Sequence, residues 1–190
     1  MRKLFTTLAL SLILTGCAGS GLIPAGKISL GEGHGMMTQG SWSDVTYAER
    51  RYTRAVQVLS RDGPLLNQII LVRGLDAGKG LLRPADRTQP VPIFRADQTG
   101  REQVELVVET LSELGYRQVR FAQLRPASFG PDKAIRFDLT ARTEDGLNLS
   151  GIAQAARVKG ELYLVIFIAP SEHYFPTLKA EVEAMMNSAH

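Results

Sequence analysis

Cysteine is almost absent: the 190 residues hold one, Cys17, beside three histidines and a single tryptophan. One thiol forms no internal disulfide and no thiolate metal site, so folding must rest on an apolar core. His34, His173 and His190 make no HxH or HxxxH pair, so neither a zinc site nor any other metal site is expected. There is no GxSxG elbow, and no histidine lies in a segment from which a triad would draw, so Ser128 and Ser150 are not read as nucleophiles. Long apolar runs are missing too. The N-terminal run over residues 4–14 falls short of the roughly 18 residues a membrane-spanning helix needs. Charge of one sign is scarce: dropping Arg2 and Lys3 from the 22 basic side chains leaves one more than the 19 acidic ones. Such a surface has no basic field with which to attract nucleic acid.

What is there begins with an address. Arg2 and Lys3 precede the apolar run, and small residues follow it, which is the secretory pattern. Leu14-Thr15-Gly16-Cys17 resembles the lipobox of bacterial lipoproteins. The resemblance implies cleavage before Cys17, a diacylglyceryl thioether on its sulfur and a further acyl chain (palmitate or similar) on the new N-terminus. Each buried methylene contributes about 0.8 kcal/mol, so two or three chains hold firmly where one holds marginally. Ala18 in place of an aspartate implies the periplasmic face of the outer membrane. Residues 1–16 are therefore expected to be a signal peptide. Residues 17–35 follow as an acylated cysteine and flexible tether, because 18–35 hold six glycines and little apolar surface. Gly31, Gly33 and Gly35 lack the strand and helix context of a dinucleotide loop, and "GLDAGKG" lacks P-loop spacing.

Residues 36–190 are expected to form one domain. Residues 36–42 read as a strand, and 52–59 and 65–73 as two more, joined at Asp62-Gly63-Pro64. A helix through 49–59 is the alternative. Thr99 and Glu102 make a capping box for a helix over 99–114, whose apolar face is Val104, Val107, Val108, Leu111 and Leu114 and whose stop is Gly115. Its other face, with Glu105, Glu109 and Glu113, reads as solvated. An antiparallel meander follows over 117–124, 134–142, 147–158 and 161–169, turning at Asp145-Gly146 and Lys159-Gly160. The last strand, "LYLVIFIA", is apolar on both faces and belongs at the centre of a sheet covered on both sides. A terminal helix over 171–187, with Ser171 and Glu172 as caps and Pro176 in its first turn, supplies further cover. The expected fold class is α+β, an antiparallel sheet with helices on both faces: an α/β/α sandwich.

This order of elements, and above all "DGLNLSGIAQAARVKGELYLVIFIAPSEHYFP" with the helix after it, resembles the PsbP-like family over residues 42–190. The resemblance implies accessory and protein-binding roles, such as a photosystem subunit, a Ran-GTPase-binding protein or envelope lipoproteins. It brings no shared catalytic motif, so no catalytic residue is carried over.

The functional expectation is a non-enzymatic envelope lipoprotein that binds a protein or small ligand, with no cofactor. It is held to the membrane through Cys17 and has an envelope protein as partner. Arg117, Arg120, Arg125, Arg136 and Arg142 fall on neighbouring strands, where alternation puts some of their guanidinium forks on one outer surface to meet carboxylates or phosphates. Arg87, Val91, Ile93 and Phe94 lie in a proline-stiffened stretch that either covers a sheet edge or presents a docking strip. Trp42 is either core or a partner anchor. The competing expectation is a periplasmic hydrolase using carboxylates, for instance Asp138 with Glu144 or Asp145.

Overall fold

A computed structural model of the chain describes residues 21–86 and 88–190. The lipobox with Cys17, and Arg87, lie outside the described residues. In chain order the strands are β1 (Leu22–Ile23), β2 (Gly26–Gly31), β3 (His34–Thr38), β4 (Trp42–Asp44), β5 (Val56–Ser60) and β6 (Gln68–Leu75). Helix α1 (Gly100–Glu113) precedes β7 (Arg117–Phe129), β8 (Asp132–Arg142), β9 (Asn148–Val158) and β10 (Glu161–Pro170), and α2 (Tyr174–Asn187) ends the chain. Eight strands form one antiparallel sheet in the order β1-β4-β5-β6-β10-β9-β8-β7, while β2 and β3 pair as a separate hairpin.

β10 sits between β6 and β9, as its two apolar faces require. Tyr163, Val165 and Phe167 point into one core and Leu162, Leu164 and Ile166 into the other. What covers those faces corrects the expected sandwich. Among the described residues strand far outweighs helix, with two α-helices of 14 residues each, and the fold is not a sandwich with helical layers on both faces. Non-helical chain does much of the covering. On the Tyr163 face, Ile28, Leu30 and Met36 of the β2–β3 hairpin and Trp42 pack beside Leu178, Val182 and Met186 of α2. On the Leu164 face, Leu81, Leu82 and Phe94 from the 76–99 connection pack with Val104, Val107 and Leu111 of α1.

The hairpin also corrects the tether expectation. Within 18–35, residues from 22 onward are β1, β2 and the start of β3, with Ile28 and Leu30 buried at alternate positions. Two of the glycines serve the hairpin turn, where Gly31 and Gly33 take φ of 88° and 84°. The alternative helix over 49–59 is not formed. A 3-10 turn at Thr46–Ala48 leads instead through two further turns, closed by Tyr52 N to Glu49 O and Val56 N to Thr53 O, into β5.

α1 follows its sequence signals. Thr99 N donates to Glu102 Oε2 at 2.7 Å, and Glu102 N donates back to Thr99 Oγ1 at 3.3 Å. At the other end Gly115, at φ 97°, closes a Schellman motif: Gly115 N donates to Ser112 O and Tyr116 N to Leu111 O. In α2, Pro176 occupies the first turn, but Ser171 and Glu172 do not cap it. The N-cap is His173, without a side-chain bond, and Ser171 Oγ instead meets Ser150 Oγ at 2.9 Å.

Candidate functional site

α2 lies over β3, β9 and β10, and on its side of the sheet β7 and β8 contribute Ala127, Phe129 and Ala134 to the core near their connecting turn but present polar residues farther along. In β8, Phe137 and Leu139 turn into the α1-side core, so Arg136, Asp138, Thr140 and Arg142 stand on the opposite surface. Residues directly opposite across an antiparallel pair share a face. Arg117 lies opposite Arg142, Arg120 opposite Thr140, Ala122 opposite Asp138, and Arg125 opposite Arg136.

In an unbroken strand Arg120 would face away from Arg117 and Arg125, because it is an odd number of residues from each. The ladder slips by one residue between Arg117 and Arg120 and again between Ala122 and Arg125. Within these bulges Gln118 and Gln123 adopt left-handed φ of 52° and 50°. The two slips bring Arg117, Arg120, Arg125, Arg136 and Arg142 onto a single face.

The five guanidiniums are not equivalent. Arg125 Nη1 lies 2.9 Å from Asp138 Oδ1. Arg136 donates from Nε and Nη2 to Gln154 Oε1 and from Nη2 to Asn187 Oδ1. Burial, followed by the charge of Arg125, lowers the pKa of Arg136 from its ordinary value. Arg142 Nε donates to Asn148 Oδ1 at 2.9 Å, and Arg117 makes a loose, exposed pair with Glu144 at 3.5 Å. Arg120 has no hydrogen bond or ion pair to any described residue. It lines a depression of about 230 Å³ with Gln118, Thr140, Arg142, Asn148 and Ser171. An anion seated there meets the guanidinium forks of Arg120 and Arg142, with Asn148 and Ser171 as further polar groups.

The second candidate stretch does not join this face. Phe94 is 0% exposed, a core residue of the α1 side, which removes it from any docking strip. Val91 packs partly against the same core, and Ile93 is 45% exposed where it bridges to Gly80. Trp42 is core as well: its Nε1 donates to Thr38 Oγ1 at 3.1 Å, and the Arg61 guanidinium stacks 4.5 Å above its ring. Of the carboxylates proposed for hydrolysis, Asp138 is engaged by Arg125 and Glu144 only loosely by Arg117, while Asp145 pairs with no described residue. Among the described residues no group of three His, Cys, Asp or Glu is placed to hold a metal ion. Sequence reasoning missed the bulges and the polar rim of Asn148 and Ser171. A left-handed glutamine carries no local signal, and the rim residues come from separate strand ends.

No family model matches the chain, and no curated protein matches it either. Among solved structures it is similar to cyanobacterial PsbP (CyanoP) from Synechocystis sp. PCC 6803, with a TM-score of 0.56 at 15% identity over 95% of this chain and 96% of that one. It is also similar to a point mutant of the protein Mog1, with a TM-score of 0.51 at 13% identity over 88% of this chain and 96% of that one. These likenesses are of fold alone, and they support a PsbP-like domain.

Proposed function

We propose that this chain is an envelope lipoprotein, anchored by acyl chains on Cys17 to the periplasmic face of the outer membrane. Its PsbP-like domain is a non-enzymatic accessory module that binds an acidic partner protein through Arg117, Arg120 and Arg142. The observation that carries the reading is the pair of bulges in β7. They hold guanidiniums on one surface that α2 leaves open, and one of these, Arg120, has no partner within the described fold. Left-handed backbone at a non-glycine residue costs on the order of 1 kcal/mol per site, and the slips serve packing as well, since Phe121 packs on the α1-side core while Phe129, eight residues on, is buried in the α2-side core. A PsbP-like fold shared with CyanoP supports an accessory rather than a catalytic role.

Crosslinking in intact cells tests this. The expected result is a discrete crosslinked partner that is lost in the double variant R120E/R142E while membrane attachment persists. The variant Cys17→Ser is expected to leave the membrane and to lose lipid labelling. An unchanged crosslink in the charge-reversal variant overturns the binding reading. So does robust hydrolase turnover that disappears on changing one acidic residue. Acylated, membrane-bound Cys17→Ser protein overturns the anchor.

A further inference from the structure

At the end of the sheet opposite the Lys159-Gly160 turn lies a cavity of about 310 Å³, within the range of small-ligand pockets. Separate segments wall it: the bend at 49–52, the connection from β5 into β6, the chain just after α1, the β8–β9 turn, the start of β9 and the end of β10. Leu66, Leu149 and Ile168 give it apolar walls, and Leu65, 89% exposed, stands at its rim. Its charged lining is Glu49 and Glu144, the latter loosely paired with Arg117 at 3.5 Å, and no lysine, arginine or histidine lines it.

The fold builds the polar end of this cavity with some care. The 3-10 turn at Thr46–Ala48 hands the chain to Glu49, and Tyr52 N donates to Glu49 O at 3.2 Å, so Glu49 and Tyr52 sit on one tight bend. Gln68 Nε2, buried at the start of β6, donates to Glu49 Oε1 at 3.1 Å and fixes the carboxylate. Glu49 Oε2 has no hydrogen bond to any described residue. The Schellman motif of α1 delivers Tyr116 to the same place. Tyr52 is 3% exposed, yet neither its hydroxyl nor that of Tyr116 bonds to a described residue. Burial, reinforced by the Glu49 carboxylate, pushes Tyr116 up to about 12. Burial, then Tyr116 and Glu49, raise Tyr52 well above its ordinary value. Both phenols therefore stay neutral at any physiological pH, beside a carboxylate.

We propose that this cavity binds a small organic cation: a protonated amine carrying a compact apolar group. The ammonium donates to Glu49 Oε2 and to the hydroxyl oxygens of Tyr52 and Tyr116, while the apolar group packs on Leu66, Leu149 and Ile168. An anion meets the Glu49 carboxylate there and no cationic lining residue. A neutral ligand leaves the Glu49 charge uncompensated. The site uses none of the arginines of the β7–β8 face, so the two readings stand or fall separately.

The full chain, purified and titrated with benzylamine, benzyl alcohol and benzoate while the Gly115 and Tyr116 amides are followed by NMR, tests the proposal. Benzylamine is expected to shift these amides saturably and to bind at least about tenfold more tightly than benzyl alcohol, with benzoate inert. Glu49→Gln is expected to weaken benzylamine at least about tenfold, and Tyr116→Phe about threefold, with amides elsewhere unmoved. An absence of saturable shifts, or an equal response to the three probes, overturns the proposal on wild-type protein without reference to any variant. A folded Glu49→Gln protein of unchanged affinity overturns it as well.

Discussion

Arg136 donates two hydrogen bonds to a single atom of Gln154, from Nε at 2.9 Å and from Nη2 at 2.5 Å to Oε1. Gln154 is 2% exposed, and its Nε2 donates at 3.1 Å to the carbonyls of Ser128 and Met186. One buried amide thus joins β7, β8 and the end of α2, with both its polar atoms satisfied. Arg136, a sequence candidate for partner contact, is engaged inside the fold. Arg136→Ala leaves Gln154 Oε1 buried without a donor, at an expected cost of about 1–3 kcal/mol. Arg120→Ala breaks no internal bond and is expected to change stability by no more than about 0.5 kcal/mol. Urea unfolding of the two variants checks this. Equal stability would show that the network carries no weight.

A charged pair sets an acid limit. Arg61 Nη1 and Nη2 reach Glu181 Oε2 and Oε1 at 2.8 and 2.5 Å, closing β5's end onto α2 while the guanidinium stacks on Trp42. Hydrogen bonds from Arg61 hold the Glu181 carboxyl below its ordinary value of 4.5. A carboxyl depressed in the folded state contributes stability that is present above about 4.5 and is lost as pH falls through the lower folded value. Glu181→Gln is therefore expected to be less stable than wild type at pH 7 and to close that gap below pH 4. The urea midpoints at the two pH values decide. A constant gap across the range would remove Glu181 from the acid response.

Much of this fold is legible because its signals are local. Thr99 and Glu102 lie three residues apart, Gly115 ends the same helix, and "LYLVIFIA" announces a central strand with no reference to distant chain. The errors arise where cover comes from afar. A strand apolar on both faces needs two covering layers, but nothing in it says that one layer is largely the hairpin at 26–38 and the other partly the loop carrying Phe94. The hairpin was hidden by its own glycines, whose turn geometry resembles tether composition, while the alternation of Ile28 with Leu30 spans only two apolar residues. The arginine face was half legible. Strand adjacency followed from the meander, but the phase of Arg120 depends on bulges at glutamines, which give no left-handed cue. The cavity at Glu49, Tyr52 and Tyr116 was not legible, since its polar residues are brought together by tertiary packing of separate segments.

The bulge at Gln123 makes its own prediction. At φ 50° a β-branched side chain clashes with its backbone, whereas glycine is at ease there. Gln123→Ile is expected to cost about 1–2 kcal/mol and Gln123→Gly to cost less than about 0.5 kcal/mol. Chemical denaturation of both variants measures the difference. If isoleucine is as well tolerated as glycine, β7 is not held in the left-handed conformation, and the common phase of Arg120 and Arg125 goes with it.

Ile166 probes the centre of the sheet. It is fully buried, lies opposite Ile70 of β6 and Ala153 of β9, and points into the core shared with α1. Among the described residues no lysine, arginine or histidine is buried to meet a carboxylate placed there. Ile166→Asp introduces an unpaired charge and is expected to cost more than about 4 kcal/mol, which unfolds a domain of ordinary stability. Ile166→Val removes one methylene and is expected to cost only about 0.5–1.5 kcal/mol. Circular dichroism with thermal melts separates the two outcomes: the valine variant should melt cooperatively a few degrees low, while the aspartate variant should show no cooperative transition. A cooperative melt of Ile166→Asp near the wild-type temperature would mean that β10 is open to water on its α1 side, contrary to the packing of Val104 and Val107 against it.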